Sequence, residues 1–564
     1  MRETSDEGER RMNTVVRPWC AGAQKSTQGG RRRTACSDAI KLIVAVAVTV
    51  AAIGLPSAAY AGAGPAAEKP TGELRLAMAG IGVMRPIPWQ ETVFGKGYLL
   101  LLYDWLVGAN PDGSLSSANG IAEHWEMSDD RLTWTFRLRE GIKFHDGTDL
   151  TAEDVKWSLE MVTKPESIAG FAARLRATIK AIEAPDPYTV VIRTHKPDLW
   201  LAQDLSMAAG HEAAILPREY YEKVGADGFA AKPIGSGPYK WVKGLAGSVI
   251  QLEATAKHWA EGVPKYQTVT YRVVPEESTR LAMLRTGETD IIGASRERVP
   301  ELQASGFNVF VKERGSVIGC YFHQQWEAVP VRDKRIRQAL NLAINREEIA
   351  NFIFAGQAKL MAMYPVGSFA VAAGADPELK PYPYDPAKAK QLLAEAGYPN
   401  GFETTIYSYA REDIPELPRL VEAIAGYMAK IGVKLNIFST EYPVARTKRM
   451  TGNMPGHISC LGTPNRSNPG DLLTLMYTLH HSSSRFTDHK SPELDALLEA
   501  AQAAGTEQEV KRLIGDLHRW LYNDYATMPI AEASIPFVAN SKKITAWDLG
   551  RTLYDNNDRD LIRR

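Results

Sequence analysis

The chain of 564 residues contains 45% hydrophobic and 23% charged residues, a composition typical of folded globular proteins. Its 66 basic and 66 acidic side chains give a formal net charge of zero. This balance gives no support for a nucleic-acid-binding protein, because phosphate recognition needs a basic surface. A chain of this length is expected to form about two to four domains.

An apolar stretch near the N-terminus is the first distinctive segment. Residues 42–55 are apolar, follow the basic residues 31–33, and precede the sequence Ala-Tyr-Ala at 59–61. This order is typical of a secretory signal peptide, and the stretch is shorter than the ~20 residues that span a bilayer. We expect residues 1–61 to be a cleaved signal peptide and the mature protein to be periplasmic.

Two further features of this region bear on export. Arg32 and Arg33 allow a twin-arginine signal, but residues 34–36 are not apolar, so the general secretory route is favoured. Cys20 and Cys36 are removed with the signal peptide, which leaves Cys320 and Cys460 in the mature chain. These two could form a disulfide in an oxidising compartment, although two buried thiols are the simpler interpretation and the one favoured.

Strand and helix signals then alternate along the chain. Residues 132–138 alternate between apolar and polar side chains, which predicts a half-buried strand. Thr151, with Asp154 three residues later, predicts a helix start of the capping-box type. Asn345 and Asp385 predict two more helix starts.

The later segments repeat a strand–helix–strand pattern. Residues 269–274 predict a strand that is followed by a helix ending at Gly287 and by another strand. Residues 402–409 and 433–437 predict strands on either side of a helix that ends at Gly432. Such units indicate parallel strands joined by crossover helices, and hence an α/β fold.

Four blocks of sequence carry a resemblance to a known family. They are IAEHWEMSDDRLTWTFRLREGIKFHDGTDLTAEDVKWSLEMV at 121–162, PIGSGPYKW at 233–241, the segment 258–291, and the pair 331–349 and 384–402. In order and spacing these blocks resemble the bacterial extracellular solute-binding proteins of family 5, which include dipeptide-, oligopeptide- and nickel-binding proteins.

The resemblance implies a periplasmic-binding-protein-like fold of two α/β lobes joined by a hinge. Lobe 1 would comprise residues 72–314 and 535–564, with an extra subdomain at about 107–223. Lobe 2 would comprise residues 315–534. A ligand would bind in the cleft between the lobes, which close over it by rotation about the hinge.

The resemblance also implies a function. The protein would be a monomeric substrate-binding protein that captures a peptide-like small organic solute and delivers it to the permease subunits of an ABC importer in the inner membrane. It would be neither an enzyme nor a cofactor-binding protein. The alternatives are a periplasmic ligand sensor, and a binder of a non-peptide solute such as an opine, an oligosaccharide or a metal chelate.

Motifs of enzymes and metal sites are incomplete. The segment from His211 and Glu212 begins like a zinc-protease motif, but Ile215 occupies the place of the second histidine. The sequence has no Gly-x-Ser-x-Gly elbow. His480 and His481 are interpreted as solvated loop residues rather than as metal ligands.

Candidate ligand-binding residues are aromatic and polar side chains that the fold would place at the cleft. They follow the first strand, the crossing into lobe 2, and two strands of lobe 2. They are Arg85, Trp89, Tyr321, His323, Gln324, Trp326, Tyr409, Arg411, Thr463, Asn465 and Arg466.

One of these positions bears on the ligand's charge. Peptide binders that resemble this chain commonly carry an Asp that pairs with the peptide's α-amino group, and the matching residue here is Asn465, unless the alignment shifts to Asp471. An amide cannot neutralise a buried ammonium group, whereas Arg85, Arg411 and Arg466 favour a carboxylate or phosphate. The sequence therefore predicts an anionic or amine-blocked ligand, such as a modified peptide, an opine-like conjugate or an acidic sugar derivative. Alternatively, another carboxylate replaces the Asp and ordinary peptides bind.

The signal-peptide prediction can be checked directly. Cleavage after Ala61 is expected, because the Ala-x-Ala site lies just beyond the apolar stretch. N-terminal sequencing of protein recovered from the periplasm should then begin at Gly62. Recovery of the uncleaved chain from the cytoplasm under native expression would contradict the prediction.

Overall fold

The computed structural model describes residues 69–409, 411, 414–466, 468–549 and 558–562. The predicted signal peptide and its cleavage site lie outside these residues. Within the described ranges, no helix is both long enough and apolar enough to cross a membrane.

The described residues form a mixed α/β fold. The strands are β1 Glu73–Met78, β2 Gly108–Ala109, β3 Leu115–Ser116, β4 Ala122–Met127, β5 Thr133–Leu138, β6 Ile179–Asp186, β7 Thr189–Thr194, β8 Tyr239–Leu245, β9 Val249–Ala254, β10 Thr268–Val273, β11 Ile291–Gly293, β12 Asn308–Phe322, β13 Ala358–Leu360, β14 Glu403–Ser408, β15 Lys434–Ser439, β16 Ile458–Pro464 and β17 Thr527–Ala539. The helices are α1 Lys96–Leu102, α2 Ala152–Thr163, α3 Ala172–Thr178, α4 Leu201–Asp204, α5 Arg218–Ala231, α6 Glu277–Thr286, α7 Val299–Ala304, α8 Lys334–Leu342, α9 Arg346–Phe352, α10 Pro386–Glu395, α11 Leu417–Lys430, α12 Tyr442–Met450, α13 Pro469–His480, α14 Pro492–Ala503, α15 Glu507–Asn523 and α16 Asp558–Ile562.

Most of the strands belong to one large sheet. Its order is β15-β14-β16-β12-β17-β11-β1-β10-β9-β8, with β13 paired to β17. Strands β14 and β15 pair in parallel, as the strand–helix–strand pattern predicts. Strands β10 and β11, the other predicted unit, lie on either side of β1 and both run parallel to it. The pairs that involve β12 and β17 are antiparallel, so the sheet is mixed. A separate antiparallel sheet has the order β4-β5-β7-β6.

The local signals of the sequence account for the helix boundaries. Asp154 accepts a hydrogen bond from the backbone N–H of Thr151 at 2.9 Å, which completes the capping box at the start of α2. Asn345 and Asp385 cap α9 and α10 in the predicted way. Gly287 ends α6 with φ of 75°, a left-handed conformation that glycine adopts without strain.

Strands β12 and β17 run side by side for most of their length. Their antiparallel register extends from Asn308 opposite Ala539 to Tyr321 opposite Thr527. The register shifts between Lys312 and Ser316, so the regular pairing is interrupted there. The predicted lobe boundaries fall at this interruption, and the division into movable lobes stays a prediction.

The buried apolar side chains fall into clusters on either side of that interruption. Two clusters take their buried residues from positions 74–302 and 535–562, and three take theirs from positions 317–533. We call residues 69–312 with 535–562 the first half and residues 316–533 the second half. Strands β12 and β17 therefore contribute to both.

The two cysteines of the second half form a disulfide, so the interpretation as unpaired thiols is wrong. Strands β12 and β16 are antiparallel neighbours, and their register places Cys320 directly opposite Cys460. The sequence separation of 140 between the two cysteines hides this proximity. Both side chains are fully buried.

We expect the disulfide to stabilise the second half. Replacement of both cysteines by Ser should lower the free energy of unfolding by about 2–5 kcal/mol, because the bridge closes a long loop in the unfolded chain. Chemical denaturation of the variant and the wild type measures this difference. Alkylation of the unfolded wild type without reductant should label neither residue, and labelling of both would contradict the bridge.

Candidate functional site

A small cavity lies between residues of the first half and residues of the second half. It measures about 100 Å³. The first half contributes segments before α1, before α3 and around Glu212, and the second half contributes α12, α13 and the end of β16. Among its lining residues are Thr92, Phe94, Phe171, Glu212, Tyr442, Arg446, Arg449, Thr463, Arg466, Thr478 and Phe486.

A larger cavity adjoins the small one. Its volume is about 700 Å³, within the ~300–1,000 Å³ that is typical of small-molecule sites. Thr92, Phe94, Tyr442 and Arg446 line both cavities, so the two form one cleft. The glycine-rich segment after β1, at residues 79–83, forms one wall of the larger cavity.

The cleft carries more basic than acidic side chains. Arg446, Arg449 and Arg466 line the small cavity, where Glu212 is the acidic lining residue among those described. Arg411, Arg446 and Arg485 line the larger cavity, together with the acidic residue Glu441 and others. The field of this cleft therefore favours an anionic solute.

The carboxylate of Glu212 is fixed in the wall of the small cavity. Its Oε1 accepts a hydrogen bond from the backbone N–H of Phe171 at 2.8 Å, and the residue is 1% exposed. Its Oε2 has no hydrogen-bond partner among the described residues. A Cβ atom at Gly210 would lie 1.8 Å from this oxygen, so only glycine leaves room for the carboxylate.

The guanidinium group of Arg466 lies in the opposite wall. The side chain is buried, and its Nε and Nη1 have no hydrogen-bond partner within the described part of the chain. A carboxylate oxygen of Asp471 lies 3.8 Å from Nη1. Burial raises the pKa of Asp471, although the charges of Arg466 and Lys96 act in the opposite direction.

Arg449 connects the small cavity to a buried polar network. Its guanidinium lies 4.1 Å from the ring centre of Tyr321 and donates to the carbonyl oxygen of Phe486 at 3.0 Å. The hydroxyl of Tyr321 donates to that of Tyr364 at 2.9 Å, and burial raises the pKa of Tyr321. Tyr321 thus supports a cavity-lining arginine from behind.

The expectation that His480 and His481 are solvated loop residues is wrong. His480 is the last residue of α13 and is fully buried, and His481 is nearly so. His480 and His489 each place Nδ1 against Oδ1 of Asp488, at 3.0 and 2.6 Å. Burial alone would raise the pKa of Asp488, but the two imidazoles hold it well below its ordinary value.

A buried polar contact joins the two halves beside the cleft. Arg174 of the first half pairs with Asp198 and Asp204, at 2.9 and 2.7 Å, and donates to the hydroxyl of Thr474 in α13 at 2.8 Å. Thr474 in turn donates to Asp204 at 2.8 Å. Burial raises the pKa of Asp204, against the opposing charge of Arg174.

Comparison with known proteins identifies the family. The model of the bacterial extracellular solute-binding proteins, family 5, matches residues 118–483, which is more than half of the chain. The chain belongs to this family. It is therefore a solute-binding protein, and its family is one of binding proteins rather than of enzymes.

Related proteins and solved structures align with most of this family 5 chain. The glutathione-binding protein GsiB of Salmonella typhimurium is 29% identical over 468 residues, which are 81% of this chain and 88% of the relative. GsiB of Escherichia coli K12 is 33% identical over 338 residues, 59% of this chain and 63% of the relative.

Two solved structures share the fold. One is the binding protein AgaA from A. tumefacien R10 in complex with agropinic acid, with a TM-score of 0.77, 24% identity, and coverage of 87% of this chain and 98% of that one. The other is DppA from Helicobacter pylori in complex with the peptide STSA, with a TM-score of 0.78, 24% identity, and coverage of 88% and 98%.

Three of the predicted site residues line the cleft of this family 5 protein. Thr463 and Arg466 lie in the small cavity, and Arg411 lies in the larger one. Arg411 is held over the rings of Phe94 and Tyr442, at 4.7 and 5.0 Å. Strand β16 continues to Pro464, so Thr463 lies on the strand itself rather than after its end, where the sequence analysis placed it.

The other predicted site residues lie behind or away from these cavities. Tyr321 supports Arg449, and Tyr409 donates a hydrogen bond to the carbonyl oxygen of Cys460. His323 and Gln324 form hydrogen bonds with Ser459 and His489, and Trp326 is half-buried near Gly452. Arg85 forms an ion pair with Asp227, and Trp89 packs against Trp157 and Tyr221. Burial lowers the pKa of His323 to about 3, which keeps its imidazole neutral.

Asn465 is held by a residue of β17. Its side-chain NH₂ donates to Oε2 of Glu532 at 3.0 Å, and its oxygen accepts from the backbone N–H of Phe369 at 3.2 Å. Glu532 also accepts hydrogen bonds from the backbone N–H and the hydroxyl of Ser368, at 2.5 and 2.6 Å. Asn465 thus fixes the loop beside Arg466 to the strand that crosses between the halves.

Several lining residues were not predicted from the sequence. Glu212 was considered only as part of an incomplete zinc motif, and its role in the cavity wall depends on a fold contact with Phe171. Arg446 and Arg449 are three residues apart on α12, a spacing that places both on one helix face. This basic helix face is the feature of the sequence that could have indicated the two arginines as lining residues.

The pairing of Asn465 with Glu532 makes an Asp at this position unfavourable. The substitution Asn465→Asp should destabilise the protein by about 3 kcal/mol at pH 7, because two buried carboxylates would then face each other.

Chemical denaturation at pH 7, with the exposed Asn453→Asp as control, measures this effect. Equal stability of the two variants at pH 7 would contradict the assigned pairing.

Proposed function

We propose that this protein is the substrate-binding protein of an ABC importer and that it captures an anionic, peptide-like organic solute for delivery to the permease. The observation that carries the proposal is a cleft lined from both halves in which the guanidinium groups outnumber the carboxylates. A guanidinium group grips a carboxylate through two parallel hydrogen bonds.

The two halves act as lobes in this proposal. They share strands β12 and β17, whose pairing is interrupted between Lys312 and Ser316. Rotation at this interruption opens and closes the cleft, as in other hinged binding proteins. Solute that contacts both lobes then favours the closed arrangement by mass action.

The relatives support the class of solute. A glutathione-binding relative spans most of the chain, and a protein of the same fold holds agropinic acid. Glutathione and agropinic acid are both organic acids, which matches the basic cleft of this chain. A small peptide-like acid of this kind also suits the volume of the larger cavity.

The solute class can be tested by calorimetry. We expect glutathione or a related acidic conjugate to bind more tightly than the uncharged-side-chain peptide Ala-Ala-Ala. Arg466→Ala should weaken binding of the acid by about 10- to 100-fold, since a hydrogen bond to a charged group contributes ~1.5–3 kcal/mol. The exposed Arg512 forms ion pairs with Glu509 and Asp516, and Arg512→Ala serves as the control.

Two further measurements accompany the titration. Mass spectrometry of solute released by denaturation identifies the natural ligand, and X-ray scattering should show a smaller radius of gyration with ligand bound. Tight binding of neutral peptides alone, unaffected by Arg466→Ala, would overturn the proposed solute class. An unchanged radius with confirmed binding would contradict the hinge.

A further inference from the structure

Two buried polar groups face the small cavity from opposite halves. Glu212 of the first half has a carboxylate oxygen with no hydrogen-bond partner, and Arg466 of the second half has two nitrogen atoms without one, in the part of the chain that the structure describes. Both side chains are at least nine-tenths buried. Buried polar groups in folded proteins are nearly always hydrogen-bonded, so this pair points to a polar occupant.

Both groups line the same small cavity and contact the same residue, Phe171. Glu212 accepts the backbone N–H of Phe171 at 2.8 Å, and the guanidinium carbon of Arg466 lies 5.6 Å from the ring centre of the same residue. The hydroxyl of Thr478 lines the cavity as well and has no partner among the described residues. The cavity therefore offers one site for a cation and one for an anion within a small space.

The volume of the cavity restricts what can fill both sites. About 100 Å³ accommodates a head group rather than a whole peptide. An ordinary peptide carries its ammonium group and its α-carboxylate at opposite ends. A free α-amino-acid group carries both on one carbon atom.

We infer that the small cavity is a subsite for a free α-amino-acid head group, with Glu212 as the partner of its ammonium group and Arg466 as the partner of its carboxylate. This inference rests on the proposed function and restricts the proposed class of solute. The preferred solutes are conjugates joined through a side chain, such as γ-glutamyl peptides, whose remainder extends into the larger cavity. An amine-blocked ligand, which the sequence allows, does not fit this subsite because it lacks the ammonium group.

Two isomeric tripeptides test the inference without any variant. γ-Glu-Ala-Gly and α-Glu-Ala-Gly have the same composition and net charge, but only the γ-linked isomer has its ammonium group and a carboxylate on one carbon. Calorimetric titration should show at least about 100-fold tighter binding of the γ-linked isomer, because a site built around polar groups rejects an analogue that leaves them unpaired. N-acetylation of the γ-linked isomer should remove this advantage.

The substitution Glu212→Gln tests whether Glu212 is responsible for the preference for the γ-linked isomer. Glu212→Gln should weaken binding of the γ-linked isomer by about 10- to 100-fold and should leave the N-acetylated form unaffected, since the amide keeps the shape but not the charge. Glu219→Gln, an exposed substitution of the same kind in α5, is the control and should change neither affinity. Thermal unfolding of both variants checks that they are folded.

The outcomes separate the inference from the proposed function. Equal affinity for the two isomers, or a loss in Glu212→Gln that the N-acetylated form shares, overturns the head-group subsite while the importer function stands. Failure of both isomers to bind also overturns the subsite. The proposed solute class fails separately if the titrations with glutathione and related acids show no binding.

Discussion

The pairing of β12 with β17 is the constraint on which the rest of the structure depends. Each half of the molecule packs its own apolar core, and these two strands contribute to both. Besides a second irregularity between Ile318 and Gly319, their register shifts between Lys312 and Ser316. Gly315 lies in this interval, where a Cβ atom would come within 2.7 Å of the side chain of Lys312. The strands thus hold the halves together, and the irregularity between Lys312 and Ser316 lies where the two apolar cores meet.

Because β12 and β17 hold the two halves side by side, side chains from both halves line the cleft. Glu212 and Arg466 belong to different halves, so removing them from water depends on how the two halves meet. Burial of a charge costs free energy unless a charged or hydrogen-bonding partner replaces water. In the proposed function, a solute with both charges supplies both partners at once and so favours the arrangement in which the two halves meet around it. Asn465, the residue next to Arg466, is itself hydrogen-bonded to Glu532 in β17.

The sequence predicted the fold better than the site, for physical reasons. Helix caps such as Asp154 and Asp385 act on neighbouring backbone groups, so their signals are local and were read correctly. The position of Glu212 depends on a contact with Phe171, 41 residues away, and the disulfide depends on strand register across 140 residues. Such long-range pairings have no local pattern. Arg466 was predicted because a family resemblance drew attention to its loop, whereas Arg449 had only the weak signal of a basic helix face.

The disulfide between Cys320 and Cys460 also changes the covalent topology of the second half. It closes a ring that contains β13, β14 and β15 with the helices between them. A protease that cuts one peptide bond inside this ring opens it without releasing a fragment, because both pieces remain attached through the sulfur atoms. The parts of the chain that form the two walls of the cleft therefore stay in one molecule after a single cut in that region. The bridge thus preserves the integrity of the cleft against a single cut in that region.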